Sequence, residues 1–410
     1  MSEIFWNGNS INPAAFIIPA FFLFIGLEYA AAKRLGKSSL FKFDSSIANI
    51  SIGLAERLIN LFITASFYSM FVYVYEHYAV FKISDSWIVW ILILLATDLV
   101  WYWYHRLGHE INIFWAAHIV HHQSEEFNYT VSARITVFQA LIRNVFWCLL
   151  PLAGFNPTMV FATLIIHGAY SFFTHTQMIG KLGWLEYIFI TPSHHGVHHA
   201  SNEKYLNKNY GDLFVFWDKL FGTFQKEEEK PVYGLTHPLK SNSFIWQHFH
   251  YFLEILEAVK RTTGFRGKLK VIFGPPETLD QSIRPDLEKF YLSQKRRIKP
   301  TSRFKWYVTG QIVLTVFILF GVSFFFFSLD QAEKIFATLF ILITLINCGA
   351  LLEQVRWIFY LEYARMLIVV AYISVLVSAP EFFIVGLLTL IVIGGLFPVQ
   401  RWYLRFIYSR

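Results

Sequence analysis

Charged residues are scarce in this sequence. Aspartate, glutamate, lysine and arginine make up only 15% of its 410 residues, whereas an ordinary soluble domain carries roughly a quarter. Apolar residues account for 55% of the chain, so much of its surface must face a medium other than water. The composition therefore excludes an ordinary soluble protein and indicates a membrane protein.

Cysteine is also scarce. The two cysteines, Cys148 and Cys348, both lie in apolar stretches, which excludes a secreted scaffold held together by disulfides. The many large apolar side chains exclude an intrinsically disordered chain. In a membrane protein, the net charge of +7 is typical of basic residues retained on the cytoplasmic side, so we expect no nucleic acid partner.

Several sequence signals of other protein classes are missing. The chain contains neither the G-x-G-x-x-G fingerprint of dinucleotide binding nor a C-x-x-C-H haem site. Any redox chemistry would therefore need an external reductant. Residues 1–12 contain no lysine or arginine, so we also expect no cleavable signal peptide.

Long apolar runs indicate the fold class. A helix needs roughly 20 residues to cross the hydrocarbon core of a bilayer. Nine runs meet this requirement, at residues 13–32, 47–75, 87–104, a pair within 131–174 broken near 154–157, 306–329, 333–352, 365–379 and 382–399. We predict an all-α polytopic membrane protein with two domains, a catalytic domain over residues 1–300 and a C-terminal transmembrane block over 301–410.

Basic loops predict the orientation of these helices. Residues 33–44 carry four lysines or arginines, which places this loop in the cytoplasm under the positive-inside rule. Alternation then puts residues 106–130 and 177–305, the latter with a basic run at 295–305, on the same side. We expect an integral multi-pass protein of a bacterial inner membrane or the endoplasmic reticulum.

Histidine, in contrast, is abundant and clustered. Three short boxes contain His105 and His109; His118, His121 and His122; and His195, His198 and His199. By composition alone, the pattern H-x-x-H-H should occur about 0.02 times in such a chain, yet it occurs twice. Residues spaced three or four apart share one helix face, so each box can point its imidazoles at one site.

Eight histidines in three boxes exceed the needs of one four-coordinate metal ion. We therefore predict two metal ions in a histidine-rich helical cap on the cytoplasmic side. Imidazole binds iron, zinc, copper and nickel, and the boxes alone do not choose among them.

The boxes, separated by an apolar hairpin, resemble the membrane fatty acid hydroxylase and sterol desaturase superfamily. Within it, N-Y-G-D-L-F-V-F-W-D-K-L-F-G-T-F at residues 209–224 and Y-G-L-T-H-P at 233–238 resemble the alkylglycerol monooxygenases. This resemblance implies two iron ions, molecular oxygen, a lipid substrate and tetrahydrobiopterin as the reductant. It also implies hydroxylation of the carbon next to the ether oxygen of an alkylglycerol, followed by release of a fatty aldehyde.

Four further residues are candidates for the site. In the order of the resembled family, His175 is a further metal ligand, with an interfacial histidine as the alternative. His194 is either a ligand or a neighbour of the third box. Glu110 orients a histidine, binds metal or the reductant, or is a solvated charge at a helix end. Asp98, an intramembrane carboxylate, supports the site or bonds one helix to another.

Other functions remain open from the sequence. A hydroxylase or desaturase of sterols, sphingolipids or fatty acyl chains would use the same metal centre. A zinc hydrolase with Glu110 as base is disfavoured, because the motif reads H-x-x-x-H-E rather than H-E-x-x-H. A transporter would place its polar residues near the bilayer midplane, whereas here they cluster at one edge.

Overall fold

The structure, a computed structural model, describes residues 11–292, 299–355 and 357–408. It contains eighteen α-helices in these ranges: α1 (Ile17–Arg34), α2 (Phe43–Tyr78), α3 (Trp87–Glu110), α4 (Asn112–His118), α5 (Tyr129–Ser132), α6 (Val137–Trp147), α7 (Leu149–Ala153), α8 (Pro157–Thr174), α9 (Pro192–His198), α10 (Phe216–Leu220), α11 (Phe244–Arg261), α12 (Phe265–Phe273), α13 (Ile283–Tyr291), α14 (Ser302–Phe324), α15 (Gln331–Leu352), α16 (Ile358–Leu376), α17 (Pro380–Leu396) and α18 (Val399–Tyr408). Short 3₁₀ helices include Ile119–Gln123. The described residues form no β-strand, only two isolated bridges.

Fewer helices qualify as membrane spans than the sequence predicts. Among the described residues, six helices are long and apolar enough to cross a bilayer, or seven if the bent pair of α17 and α18 counts as one span. The nine-span count is therefore wrong by two or three. One reason is the first half of residues 131–174: it folds as α6 and α7, of 11 and 5 residues, which is shorter than a bilayer crossing requires.

The predicted all-helical, multi-pass membrane fold is confirmed. Two compact units make up the chain. Among the described residues, one unit comprises residues 11–23, 241–247, 291–292, 299–355 and 357–408, and the other comprises residues 24–240 and 248–290. The domain boundary at residue 300 stays a prediction, and residues 295–298 of the basic run lie outside the described ranges.

The first of these units contains a buried polar cluster. The carboxylate of Glu362 accepts hydrogen bonds from the Tyr307 hydroxyl, the Asn347 amide (2.7 Å) and the Tyr403 hydroxyl (2.8 Å), and it pairs with Arg365. Because a buried charge is costly without partners, this carboxylate ties together α14, α15, α16 and α18.

The other unit contains all three histidine boxes, and local sequence fixes its helix ends. The Ser86 hydroxyl caps the start of α3 by accepting from Val89 N (3.3 Å), and the Asn156 side chain caps α8 ahead of Pro157. Gly154 ends α7 with φ 109°, and a Cβ there would meet the Phe81 carbonyl oxygen at 2.1 Å. Only glycine tolerates both demands.

Different loops lie at the two ends of this helical unit. At one end, Val80 N donates to the Leu152 carbonyl (2.8 Å). At the other, residues 35–44 meet the segment that follows the second histidine box. There the Lys42 ammonium pairs with Glu126 (2.6 Å) and the Asn128 amide donates to the Leu40 carbonyl (2.7 Å). The basic loop and the second box therefore lie at the same end of the helices.

These contacts lead to a labelling prediction. On a background with Cys148 and Cys348 replaced by alanine, Lys37→Cys and Glu228→Cys should react with a membrane-impermeant maleimide from the same side. Lys82→Cys, the matched control at the opposite helix end, should react only from the other side. Opposite labelling of positions 37 and 228 would contradict the predicted placement of the histidine boxes on the cytoplasmic side.

Candidate metal centre

Each histidine box occupies a defined element. His105 and His109 lie one turn apart at the end of α3. The second box spans the junction of α4 with the 3₁₀ helix Ile119–Gln123, and His195 and His198 lie on α9. His175 follows the last residue of α8. Four separate chain segments thus bring their imidazoles to one end of the unit.

The nine histidines predicted as ligands form two groups. The first group consists of His105, His109, His118, His122 and His198, and the second consists of His121, His175, His195 and His199. Within each group, one nitrogen atom from every ring lies within 4.8 Å of the others. The second box divides between them, because His121 points into one group while His118 and His122 point into the other.

The two groups are in direct contact. The rings of His122 and His199, one from each group, stack with centroids 4.3 Å apart, and those of His121 and His122 are 5.4 Å apart. Phe127 covers the second group, with its ring centroid 5.1 Å from that of His199. The fully buried ring of Tyr210 lies 5.3 Å from that of His109. Two ions bound here would be neighbours.

Backbone carbonyls fix the orientation of three of these rings. The Nδ1 atom of His105 lies 2.9 Å from the Tyr210 carbonyl oxygen, that of His198 2.9 Å from the Lys208 oxygen, and that of His175 2.7 Å from the Ser171 oxygen. A carbonyl can only accept, so each Nδ1 carries the proton and each Nε2 presents its lone pair to the group. Ligand histidines in metalloproteins are oriented in this way.

Several inward nitrogen atoms have no hydrogen-bond partner. The Nε2 atoms of His105, His109 and His198 are buried without a hydrogen-bond partner, which costs about 1–3 kcal/mol for each such atom. In the second group, the Nε2 atom of His175 faces those of His121 and His195 at 3.1 and 2.9 Å. A cation placed between such converging ring nitrogen atoms would accept their lone pairs, so the residues fit a bound metal ion.

Burial also keeps these rings ready for metal. Loss of solvation, reinforced by the neighbouring imidazoles, holds the pKa of His122 and of His199 well below the ordinary value. Burial lowers the pKa of His175 to about 4. A metal needs neutral imidazole, and these rings are neutral at pH 7, so no proton must leave before binding.

Two other sequence candidates lie outside both groups. The ring of His194 packs against Phe224, with centroids 5.3 Å apart, and its backbone carbonyl accepts from the Asn209 amide. Glu110, with its side chain 41% exposed, pairs with Arg106 at 2.8 Å on the same helix. The structure thus places His194 beside the third box and Glu110 at the solvated end of α3.

Asp98 belongs to a separate buried cluster. Its carboxylate accepts from Leu213 N (2.9 Å), Phe214 N (3.0 Å) and the Trp217 indole (3.1 Å). His167 lies between two carboxylates, with Nδ1 2.7 Å from Asp212 and 3.7 Å from Asp98. Asp98 therefore connects α3 to residues 213–217, which follow the third box, and its supporting role at the metal centre stays a prediction.

The sequence reasoning missed several supporting residues. It did not single out Asp212, Asp218 or Glu28. The signal for Glu28 was present, because a carboxylate inside an apolar span is costly and usually functional. Asp212 and Asp218 lie within the motif at residues 209–224, whose buried carboxylates only the fold reveals.

Comparison with known proteins agrees with the site. Residues 90–223 match the family model for fatty acid hydroxylase. The alkylglycerol monooxygenase of Homo sapiens is 36% identical over 320 residues, which cover 76% of this chain and 72% of the relative. That of Danio rerio is 32% identical over 321 residues, covering 76% and 71%. The ornithine lipid hydroxylase of Rhizobium tropici is 32% identical over 139 residues, covering 33% of this chain and 41% of that protein. No solved structure matches the chain.

The helices and the family match define a multi-pass membrane protein of the hydroxylase class. The chain belongs to the alkylglycerol monooxygenase family of the fatty acid hydroxylases. The membership predicted from the histidine boxes is therefore confirmed.

Measuring the metal content tests which histidines are ligands. Protein purified with iron should contain close to two ions per chain. His198→Ala removes a ligand from the first group and should lower this content toward one. His194→Ala, the neighbouring control whose ring lies outside both groups, should leave it unchanged. Elemental analysis checks both, and equal loss in the two variants would contradict the assignment of ligands.

Proposed function

We propose that this chain is a di-iron monooxygenase that cleaves alkylglycerol lipids. Two iron ions bind to the nine histidines, and the carbon next to the ether oxygen becomes hydroxylated. The observation that carries the proposal is the pair of adjacent, buried, all-histidine groups at one end of membrane-spanning helices. Similarity to alkylglycerol monooxygenases over 76% of the chain supports the choice of substrate.

The overall reaction balances with an external reductant. The ether carbon, molecular oxygen, two electrons and two protons give the hydroxylated ether and one water molecule. The hydroxylated product is a hemiacetal, which loses its hydroxyl proton as its carbon–oxygen bond to glycerol breaks. A fatty aldehyde and a glycerol derivative with a free hydroxyl result.

Two components of this reaction come from outside the chain. Iron bound by imidazole supplies the reductive activation of oxygen. The sequence carries no dinucleotide or haem fingerprint, which supports a soluble electron donor. We propose tetrahydrobiopterin in this role, in accordance with the family.

The chain itself contributes positioning and exclusion of water. The carbonyls of Tyr210, Lys208 and Ser171 hold three imidazoles with Nε2 inward. Tyr210 and Phe127, both at most 1% exposed, cover the first and second groups. A preorganised, water-poor site of this kind favours reaction with the bound lipid over side reactions.

The position of the groups relative to the membrane suits a lipid substrate. His105 and His109 occupy the last two turns of α3, a helix that qualifies as a membrane span. An alkyl tail can therefore approach from the hydrocarbon side. The soluble reductant can enter from the side of residues 177–240, which follow α8.

One relative indicates a second substrate class, namely other membrane lipids. The ornithine lipid hydroxylase of Rhizobium tropici resembles one third of this chain, so a hydroxylase of another membrane lipid would share the metal centre. Under that alternative, the metal content is unchanged and only the lipid differs.

Omission assays test the proposed reaction. Iron-loaded protein in detergent should convert an alkylglycerol to fatty aldehyde, with loss of product when iron, oxygen or tetrahydrobiopterin is left out. With ¹⁸O₂, one labelled atom should appear in the aldehyde, measured under conditions that trap it before exchange with water. Aldehyde formation without oxygen would contradict the proposal. Modification of an ornithine lipid, a sterol or an acyl chain, with the alkylglycerol intact, would replace it with the second substrate class.

A further inference from the structure

One short segment supports the first histidine group through its backbone. Residues 208–210 supply the two carbonyls that accept from His198 and His105. The position of a carbonyl depends on the path of the backbone, not on the side chain. Whatever fixes this path therefore fixes two of the five rings in the group.

The segment cannot hold this path by regular structure. It lies outside every helix, and both Asn207 and Asn209 have positive φ values, 59° and 55°. A Cβ on Gly211 would lie 2.7 Å from the Phe214 carbonyl oxygen and 2.9 Å from Asp218 Oδ2. A strained and crowded backbone of this kind persists only where the surroundings hold it.

Asp218 provides one such hold. Its Oδ1 atom accepts from Tyr210 N at 2.8 Å and from the Thr223 hydroxyl at 2.7 Å, and its Oδ2 atom accepts from Gly211 N at 2.9 Å. The residue is 0% exposed. Asp218 thus holds the amide of Tyr210 while the carbonyl of the same residue accepts from His105.

Asp98 holds the following part of the segment. From α3, it accepts from Leu213 N and Phe214 N, and it is also 0% exposed. Together, Asp98 and Asp218 fix the backbone at both ends of residues 210–214. We call these two carboxylates the first clamp.

The second histidine group has a different support. Glu28 on α1 is 5% exposed, accepts from the Thr176 hydroxyl at 2.5 Å and accepts from Tyr129 N at 2.8 Å. Thr176 directly follows His175, whose own Nδ1 donates to Ser171 in α8. Glu28 therefore fixes the chain at the point where His175 enters the second group.

We propose that the two histidine groups are positioned by separate buried carboxylates, with Asp218 serving the first group and Glu28 the second. The inference rests on the proposed metal centre and adds that its two ion sites can be weakened one at a time. Asp218 and Glu28 are positioning residues, because each acts on the rings through backbone or neighbouring side chains.

Carboxylate-to-amide substitutions isolate this role. In Asp218→Asn, an amide N–H₂ group replaces one acceptor oxygen and faces the backbone N–H of Tyr210 or Gly211. The segment must then shift, and His105 loses the carbonyl that orients it. Loss of an orienting partner typically weakens metal binding about 10- to 100-fold. Asp218→Asn should weaken one site by this factor, and Glu28→Gln should weaken the other.

Titration of metal-free protein with Co²⁺ measures metal binding at the two sites independently of catalytic activity. Wild-type protein in detergent should bind two Co²⁺ ions, with different visible spectra from a five-histidine and a four-histidine site. Asp218→Asn should weaken one spectral component and Glu28→Gln the other. Asp286→Asn, an exposed carboxylate that pairs with Arg261, is the matched control and should titrate like wild type.

The outcomes separate the two proposals. Fewer than two Co²⁺ ions in the wild type would overturn the proposed metal centre. If the wild type binds two ions, and both variants weaken both sites equally or neither site, the metal centre stands. Only the proposal that Asp218 and Glu28 support separate sites would then be overturned. If Asp218→Asn fails to fold, Asp98→Asn tests the same clamp from α3 and should weaken the same component. Failure of ether cleavage alone leaves the cobalt result unaffected.

Discussion

The structure depends on the convergence of buried imidazole lone pairs. Three rings donate from Nδ1 to backbone carbonyls, which commits their Nε2 atoms to face inward without a proton. Such an arrangement is costly in an empty protein and favourable around a cation. The surrounding helices therefore contain two groups of histidines that could each hold a metal ion, and buried polar residues support the segments that carry them.

The helices provide the rigid frame that this convergence requires. The end of α3, the start of the segment after α8, and the short α4 and α9 each present one part of the site. Arg134 holds the second box from outside, because its guanidinium donates to the Val120 carbonyl (2.5 Å) and to Asn49 (2.7 Å). Such supports keep the rings from turning away from one another, so that binding of a metal costs little further ordering.

Much of this site could be predicted from spacing, and part of it could not. The H-x-x-H-H spacing predicts that His195, His198 and His199 are close in space, because helix geometry is local, but it does not predict that His198 joins the first group while His195 and His199 join the second. The same local rule cannot tell that His194 faces Phe224, or that His121 joins a different group from His118. These outcomes, like the Asp218 and Glu28 contacts, depend on segments far apart in sequence. The span count failed for a related reason, since hydropathy does not show that the helical part of residues 131–153 begins only at Val137 and is too short to cross a bilayer.

The claim that each histidine group holds one metal ion is tested most directly by locating the metal in the folded protein. An experimental structure of iron-loaded protein, with anomalous diffraction measured at the iron edge, should show two peaks. One should lie among the nitrogen atoms of the first group and the other among those of the second. A single peak, or a peak at the Asp98, His167 and Asp212 cluster with none in the histidine groups, would contradict the account.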